Sequence, residues 1–158
     1  MKTGDFFRIV AESTCEVITT ITGAIVVLQE ATRIGIDIVS PHEITACIRL
    51  SGEFSGAIGV GFDPDLARDL VARIAGGEGR RLSRNDILDG VGEIVNQISG
   101  RVRTVLSLSR HQVNIDLPLM SDGGKYVESH LCDKPHHTLI FECLDRRFRV
   151  QFCLVESD

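Results

Sequence analysis

The feature that most constrains the fold of this chain is an internal repeat. Residues 15–23 (CEVITTITG) and residues 92–100 (GEIVNQISG) align without a gap at an offset of 77 residues. The same offset pairs five notable positions, which are Glu12 with Asp89, Glu16 with Glu93, Thr19 with Asn96, Gly23 with Gly100 and Pro41 with Pro118. Amphipathic helices can look alike by chance, but the matching proline lies well beyond the aligned segments. We therefore predict two related halves, about 5–62 and 83–155, packed about an approximate twofold axis.

Hydrophobic periodicity predicts the elements within each half. Helical spacing indicates three helices, at 5–22, at 64–75 between the halves, and from an N-cap at Ser83 to about Leu108. Alternation predicts strands at 43–51, 54–62, 113–117, 138–144 and 147–155. The apolar stretch at 24–28 (AIVVL) is assigned to no element and is followed by an irregular piece to Pro41, and residues 121–137 are interpreted as a loop inserted in the second half. Helices beside antiparallel hairpins indicate an α+β fold, with long helices packed on a mainly antiparallel sheet in one domain of residues 1–158.

Composition and charge indicate an ordinary globular protein. The formal net charge is −5 and the lysines and arginines are scattered, which argues against nucleic acid or an anionic membrane as a partner. No apolar run is long enough to span a bilayer and the first residues do not form a secretory signal, so we expect a cytoplasmic protein. The five cysteines form no C-x-x-C pair and mostly lie in apolar runs, so we expect reduced, buried thiols.

The long helix of the second half carries a polar stripe on one side. At about 100° per residue, one narrow face holds two acids, an amide and a glycine, which are Asp89, Glu93, Asn96 and Gly100. The opposite face is aliphatic and predicted to be buried, with Ile87, Val91, Ile94, Val95, Ile98 and Val102. Small residues flank the stripe, at Gly90, Gly92 and Ser99. We interpret them as leaving an open surface that another macromolecule can approach, although an ordinary solvated helix face is the simpler interpretation.

A carboxylate three residues from a carboxamide offers specific chemistry. Glu93 can hold a cation while Asn96 orients a water molecule, because both side chains lie on the same helix face. An asparagine cannot serve as a general base near neutrality, so it can only position and polarise. Glu12 and Glu16 in the first half are interpreted either as a second, decayed docking surface or as ordinary exposed helix charge.

A second cluster contains side chains that bind zinc in other proteins: His130, Cys132, His136 and His137. Its spacing matches no standard zinc finger, and it falls in the predicted loop. We therefore predict no metal site. A Ser/His/Asp or Cys/His triad stays open on composition alone, although no nucleophile-elbow motif accompanies these residue types.

The stretch D-G-V-G-E-I-V-N-Q-I-S-G, followed 22 residues after Asn96 by Pro118, resembles the signature of the CheC/CheX/FliY phosphatases of chemotaxis. In that pattern an acid or serine, a glutamate, an asparagine and a proline recur at these spacings, and here they are Asp89, Glu93, Asn96 and Pro118. The resemblance covers almost the whole chain, since family members share the two-half α+β architecture. CheC-type members carry two Glu/Asn pairs, whereas this chain has Thr19 in the first half, so it is similar to the CheX type.

That resemblance implies an activity and a partner. The substrate would be the phosphoaspartate of a CheY-like response regulator, held by the regulator's own Mg²⁺ and lysine, so the protein would need no cofactor of its own. Asn96 would orient the attacking water and Glu93 would pair with the regulator's lysine. Asp89, Gly92 and Gly100 would be partner contacts, and Pro118 would shape the strand end. The family also implies a homodimer.

A binding module is the alternative from a different class. Such a protein would dock a response regulator or a flagellar-switch component without hydrolysing the phosphate. The presence of both Glu93 and Asn96 favours the enzyme, and the decay of a phosphorylated regulator distinguishes the two.

Overall fold

The computed structural model describes residues 1–34, 43–76, 81–122 and 136–158. Within these ranges the helices are α1 (Thr3–Thr22), α2 (Pro64–Ile74) and α3 (Arg84–Leu108). The strands are β1 (Val26–Ile34), β2 (Ile44–Gly52), β3 (Phe54–Phe62), β4 (Val113–Ile115), β5 (Leu119–Asp122), β6 (His136–Cys143) and β7 (Arg146–Glu156). Every described strand pair is antiparallel, and the predicted α+β fold is confirmed.

The described strands form one sheet in which strands of the two sequence halves are interleaved. The order is β1-β6-β7-β3-β2-β4, and β5 also pairs with β2. At one edge, β1 of the first half lies next to the β6–β7 hairpin of the second half. At the other edge, β4 of the second half lies next to the β2–β3 hairpin of the first half. The two hairpins meet at the centre, where β3 pairs with β7 from Phe54↔Glu156 to Gly61↔Arg149. Each half therefore supplies the edge strand next to the hairpin of the other half, and the approximate twofold axis stays a prediction.

The main hydrophobic core lies between the helices and one face of the sheet. Alternate residues of β2 join it, namely Ile44, Ala46, Ile48 and Leu50. The aliphatic face of α3 is buried against them as predicted, with Val91, Ile94, Val95, Ile98 and Val102 each 0 % exposed. Burying one face of α3 in this way leaves the opposite face of the helix for other contacts.

The helix ends follow local sequence signals. Gly23 ends α1 in the left-handed region, at φ 73°, and its N–H donates to the Thr19 carbonyl at 2.9 Å. At the start of α3, the Ser83 hydroxyl accepts from the N–H of Asp86 at 3.1 Å, and the Asp86 carboxylate accepts from the Ser83 N–H at 2.8 Å. This reciprocal capping box sets where α3 begins. The phase of its polar stripe follows from that start.

Strands occur in two segments for which none was predicted. Residues 24–41 include β1, which pairs with β6 from Val26↔Cys143 to Ile34↔His136. The predicted loop 121–137 begins with the last residues of β5 and ends with the first of β6. Pattern reasoning missed β1 because it lies at the sheet edge with several consecutive exposed residues, so its burial does not alternate.

The prediction that all cysteines are reduced was wrong for Cys153, which is disulfide-bonded. Cys15, Cys47 and Cys143 are free, and Cys132 lies outside the described residues. A disulfide joins residues brought together by the fold, so spacing along the sequence does not reveal it.

In the described part of the chain, no helix has both the length and the apolar content needed to cross a bilayer.

Candidate functional site

The polar stripe of α3 lies where the helical wheel placed it. Asp89 and Glu93 are exposed, while Asn96 and Gly100 are half-buried. These residues lie opposite the aliphatic face that packs on the sheet. A carboxylate and a carboxamide one helical turn apart are therefore presented together, away from the core.

The Glu93 carboxylate is held by its own helix. Gln97 Nε2 donates to Glu93 Oε1 at 2.7 Å, across one turn. This contact orients the carboxylate and leaves Oε2 available to a further cation or donor. Sequence reasoning overlooked Gln97, although its i, i+4 spacing from Glu93 was the available signal.

Asn96 lines an open cleft of about 680 Å³. The other lining residues are Arg49, Ile115, Asp116, Leu117 and Leu119. The cleft lies where α3 meets the sheet edge formed by β4 and β5. Because a carboxamide carries both donor and acceptor atoms, Asn96 can orient a water or a phosphoryl oxygen in this space.

Pro118 lies in an irregularity of that sheet edge. Leu50 of β2 pairs with Ile115, and Cys47 pairs with Leu119. Three residues, 116–118, therefore lie opposite the two β2 residues 48 and 49, which is the arrangement of a β-bulge. Proline suits such a position because it has no N–H to donate to the ladder. The bulge brings Asp116 and Leu117 to the Asn96 cleft.

The glycines beside the stripe do not leave an open surface, so that interpretation was wrong. A Cβ on Gly90 would collide with both methyl groups of Val71 in α2, and a Cβ on Gly92 would collide with the Met120 sulfur. Ser99 is 0 % exposed. These small residues allow α2 and β5 to approach α3. Gly92 is buried beneath Met120 and does not lie on the surface expected of a partner contact, whereas a Cβ on Gly100 would meet nothing within 4 Å.

The face of α1 that corresponds to the polar stripe, with Glu16 and Thr19, differs because its glutamate forms an ion pair with α3. Glu16 Oε2 accepts from Arg101 Nε of α3 at 3.0 Å. The carboxylate that matches Glu93 in the repeat is therefore neutralised by an arginine of the other half. Thr19, which matches Asn96, is exposed but has no carboxamide. The two halves present different chemistry on equivalent helices.

Two residues of the histidine cluster are described, and their side chains have different surroundings. His136 is buried in β6, and the His137 ring stacks on Phe152 with centroids 5.0 Å apart. His130 and Cys132 lie outside the described residues. Among the residues that the structure describes, no group of three or more His, Cys, Asp or Glu side chains could hold a metal ion.

Comparisons with known proteins identify the family of this chain. The model of the family described as chemotaxis phosphatase CheX matches residues 44–142. Comparison with curated protein sequences gave no match.

Solved structures share the whole fold. CheX from Desulfovibrio desulfuricans is 24 % identical over 96 % of this chain and 99 % of its own, with a TM-score of 0.78. CheX from Vibrio vulnificus is 20 % identical over 96 % and 99 %, with a TM-score of 0.81. CheX in a CheX–CheY–BeF3–Mg complex from Borrelia burgdorferi is 14 % identical over 96 % and 98 %, with a TM-score of 0.75. The family match covers more than half of the chain, and the chain belongs to the CheX family of chemotaxis phosphatases.

Proposed function

We propose that this protein is a phosphatase that hydrolyses the phosphoaspartate of a CheY-like response regulator in chemotaxis signalling. The observation that carries the proposal is the placement of Asn96, which lines an open cleft one helical turn from the exposed Glu93. Membership of the CheX family supports the reaction class. The related CheX in complex with CheY supports the kind of partner.

Asn96 is the proposed water-positioning group. Its carboxamide would enter the regulator's phosphorylation site and orient one water in line with the phosphorus. The water oxygen forms the new P–O bond, the bond to the aspartyl oxygen breaks, and the products are inorganic phosphate and an aspartate carboxylate. An amide cannot take the proton near neutrality, so the proton passes to phosphate or solvent, and the amide contributes geometry.

Glu93 is the proposed docking residue. Gln97 holds Oε1, and Oε2 would pair with the active-site lysine of the regulator. A charge-assisted contact at this point fixes the register in which Asn96 enters the site. Asp89 and Gly100 lie on the same stripe and would make peripheral contacts.

The protein would bring no cofactor of its own. The acyl phosphate of a receiver domain is held by that domain's Mg²⁺, so the metal would arrive with the substrate. We further propose that the protein acts in the cytoplasm, where response regulators are phosphorylated, and that it forms a homodimer as the CheX resemblance implies.

Substitution of Asn96 tests the proposal. Asn96→Ala should reduce the acceleration of regulator dephosphorylation by about a hundredfold or more, because in-line positioning is lost. Asn85→Ala is the matched control, since Asn85 is an exposed asparagine of α3 about 16 Å away along the helix. The assay follows decay of a phosphorylated CheY-like receiver with Mg²⁺ present. Undiminished activity of Asn96→Ala refutes the catalytic role, and a wild-type protein that binds without accelerating decay is the docking module instead.

A further inference from the structure

Three apolar side chains beside the Asn96 cleft are unusually exposed. Leu117 is 85 % exposed, Leu119 40 % and Met120 36 %. We call these residues the apolar rim. Leu117 and Leu119 also line the cleft that contains Asn96. A leucine left almost entirely in water beside a candidate catalytic group suggests that the rim is covered during function.

The fold holds the rim in place from two sides. Before it, the Asp116 N–H donates to the Arg49 carbonyl at 3.1 Å. After it, Leu119 and Met120 pair with Cys47 and Ala46 of β2. Leu117 lies between these attachments, on the bulge. A side chain presented from a restrained backbone loses little conformational freedom on binding, which favours a contact surface.

The rim is continuous with the polar stripe of α3. The Met120 side chain covers Gly92, which lies one helical turn before Asn96 on the same helix. A partner that reaches Asn96 through the cleft therefore meets Leu117 and Leu119 as part of the same approach. Glycine at position 92 allows β5 to lie close enough to α3 for this continuity.

We propose that the apolar rim is the docking surface for the receiver domain whose phosphoaspartate Asn96 approaches. This inference rests on the proposed function. The part of the receiver that would contact the rim is an apolar patch beside its acidic phosphorylation site. The rim supplies affinity through apolar burial, while Asn96 supplies the geometry of the reaction. Leu117 has the largest area left to bury, so it contributes most to binding.

Leu108 provides a matched control. It is 79 % exposed, so it resembles Leu117 in solvent contact. It ends α3, twelve residues beyond Asn96, which places it about 18 Å away along the helix. Both leucines are so exposed that truncation to alanine leaves the core intact, and circular dichroism checks the fold of each variant.

The experiment measures binding and turnover separately. Each variant is titrated against a CheY-like receiver of the same organism loaded with beryllofluoride and Mg²⁺, and then tested for decay of the phosphorylated receiver. Leu117→Ala should weaken binding by about tenfold and raise the half-saturating concentration equally, with little change in the maximal rate. Leu108→Ala should match the wild type. Asn96→Ala should lose the maximal rate while binding is retained.

The remaining outcomes test the docking surface and the phosphatase activity separately. Equal binding by Leu117→Ala and the wild type overturns it, as does an equal loss in Leu108→Ala. A change in sedimentation of Leu117→Ala without a change in receiver binding assigns the rim to a second copy of this chain and also overturns it. A wild type that binds through Leu117 without accelerating decay keeps the docking surface and refutes the phosphatase, and binding to no receiver refutes both.

Discussion

The packing of α3 predicts opposite effects for the same substitution at two glycines. At position 90, an added Cβ would lie 2.6 Å from Val71 Cγ1 and would also collide with Val71 Cγ2. Val71 is 4 % exposed and β-branched, so it cannot rotate away cheaply. At position 100, on the same helix, the Cβ would meet nothing within 4 Å. Gly100→Ala therefore reports helix propensity alone, and Gly90→Ala reports propensity plus steric overlap.

The magnitudes follow from these two terms. Replacing an interior helical glycine with alanine stabilises by about 0.5–1 kcal/mol. Overpacking a well-filled site costs about 1–3 kcal/mol. Gly100→Ala should therefore raise the free energy of unfolding by roughly 0.5–1 kcal/mol. For a chain of this size, about 1 kcal/mol shifts Tm by about 2–4 °C, so the expected rise in Tm is about 1–4 °C. The free energy of unfolding of Gly90→Ala should be about 1–3 kcal/mol lower than that of Gly100→Ala, because both variants gain the same helix propensity and only Gly90→Ala adds the steric overlap.

Urea unfolding followed by circular dichroism measures both variants, with Cm compared at constant m-value. Val71→Ala supplies the diagnostic cycle. It removes the methyl groups that the new Cβ meets, so Gly90→Ala should be less harmful in the Val71→Ala background than in the wild type. A Gly90→Ala protein as stable as Gly100→Ala, or a cycle with no coupling, would refute the claim that close approach of α2 requires Gly90.

Two further predictions concern titratable groups. Burial raises the pKa of the Cys47 thiol to about 11, so alkylation of native protein at pH 8, followed by mass spectrometry, should modify Cys47 at least about a hundredfold more slowly than in urea. Equal rates would contradict its burial. Hydrogen bonds from His111 and from the Gln112 N–H lower the pKa of Glu53 from its ordinary value of 4.5, so the carboxylate stabilises the fold above that value and loses this contribution as pH falls through the folded pKa. Glu53→Gln should therefore be less stable than the wild type at pH 7 and equal to it at low pH in urea unfolding, and a constant deficit across pH would contradict this linkage.

Much of the fold was predictable because local signals and long-range pairing agree. The Ser83 capping box, the Gly23 stop and the aliphatic face of α3 each lie in a few adjacent turns, so the sequence displays them directly. The repeat then implied that similar elements occupy equivalent places. The stripe of Asp89, Glu93 and Asn96 followed from helix phase alone.

The features that escaped prediction depend on contacts between distant segments. The β-bulge at 116–118 exists only because β4 and β5 pair with β2 in registers that differ by one residue. Position 92 requires a glycine because the Met120 side chain of β5 packs against it, and not because a binding partner approaches there. The open surface beside Asn96 therefore includes a sheet edge that no periodicity on α3 reveals.

The asymmetry between the halves gives a last prediction. Restoring an asparagine in the first half, by Thr19→Asn, should not create a second active site. Glu16 lies 3.0 Å from the Arg101 guanidinium, and that cation would repel the lysine of an incoming regulator. In the repeat, Ala24 occupies the position of Arg101, so Glu93 has no equivalent arginine.

The test uses an Asn96→Ala background, in which any phosphatase activity must arise from the first half. Adding Thr19→Asn should leave decay of the phosphorylated receiver at the level of Asn96→Ala alone. Glu16→Gln is the control for α1 stability, and it should cost no more than about 1 kcal/mol because the pair with Arg101 is partly exposed. A measurable recovery of activity by Thr19→Asn would show that the carboxamide suffices, and that the partner of the neighbouring carboxylate does not decide which half is active.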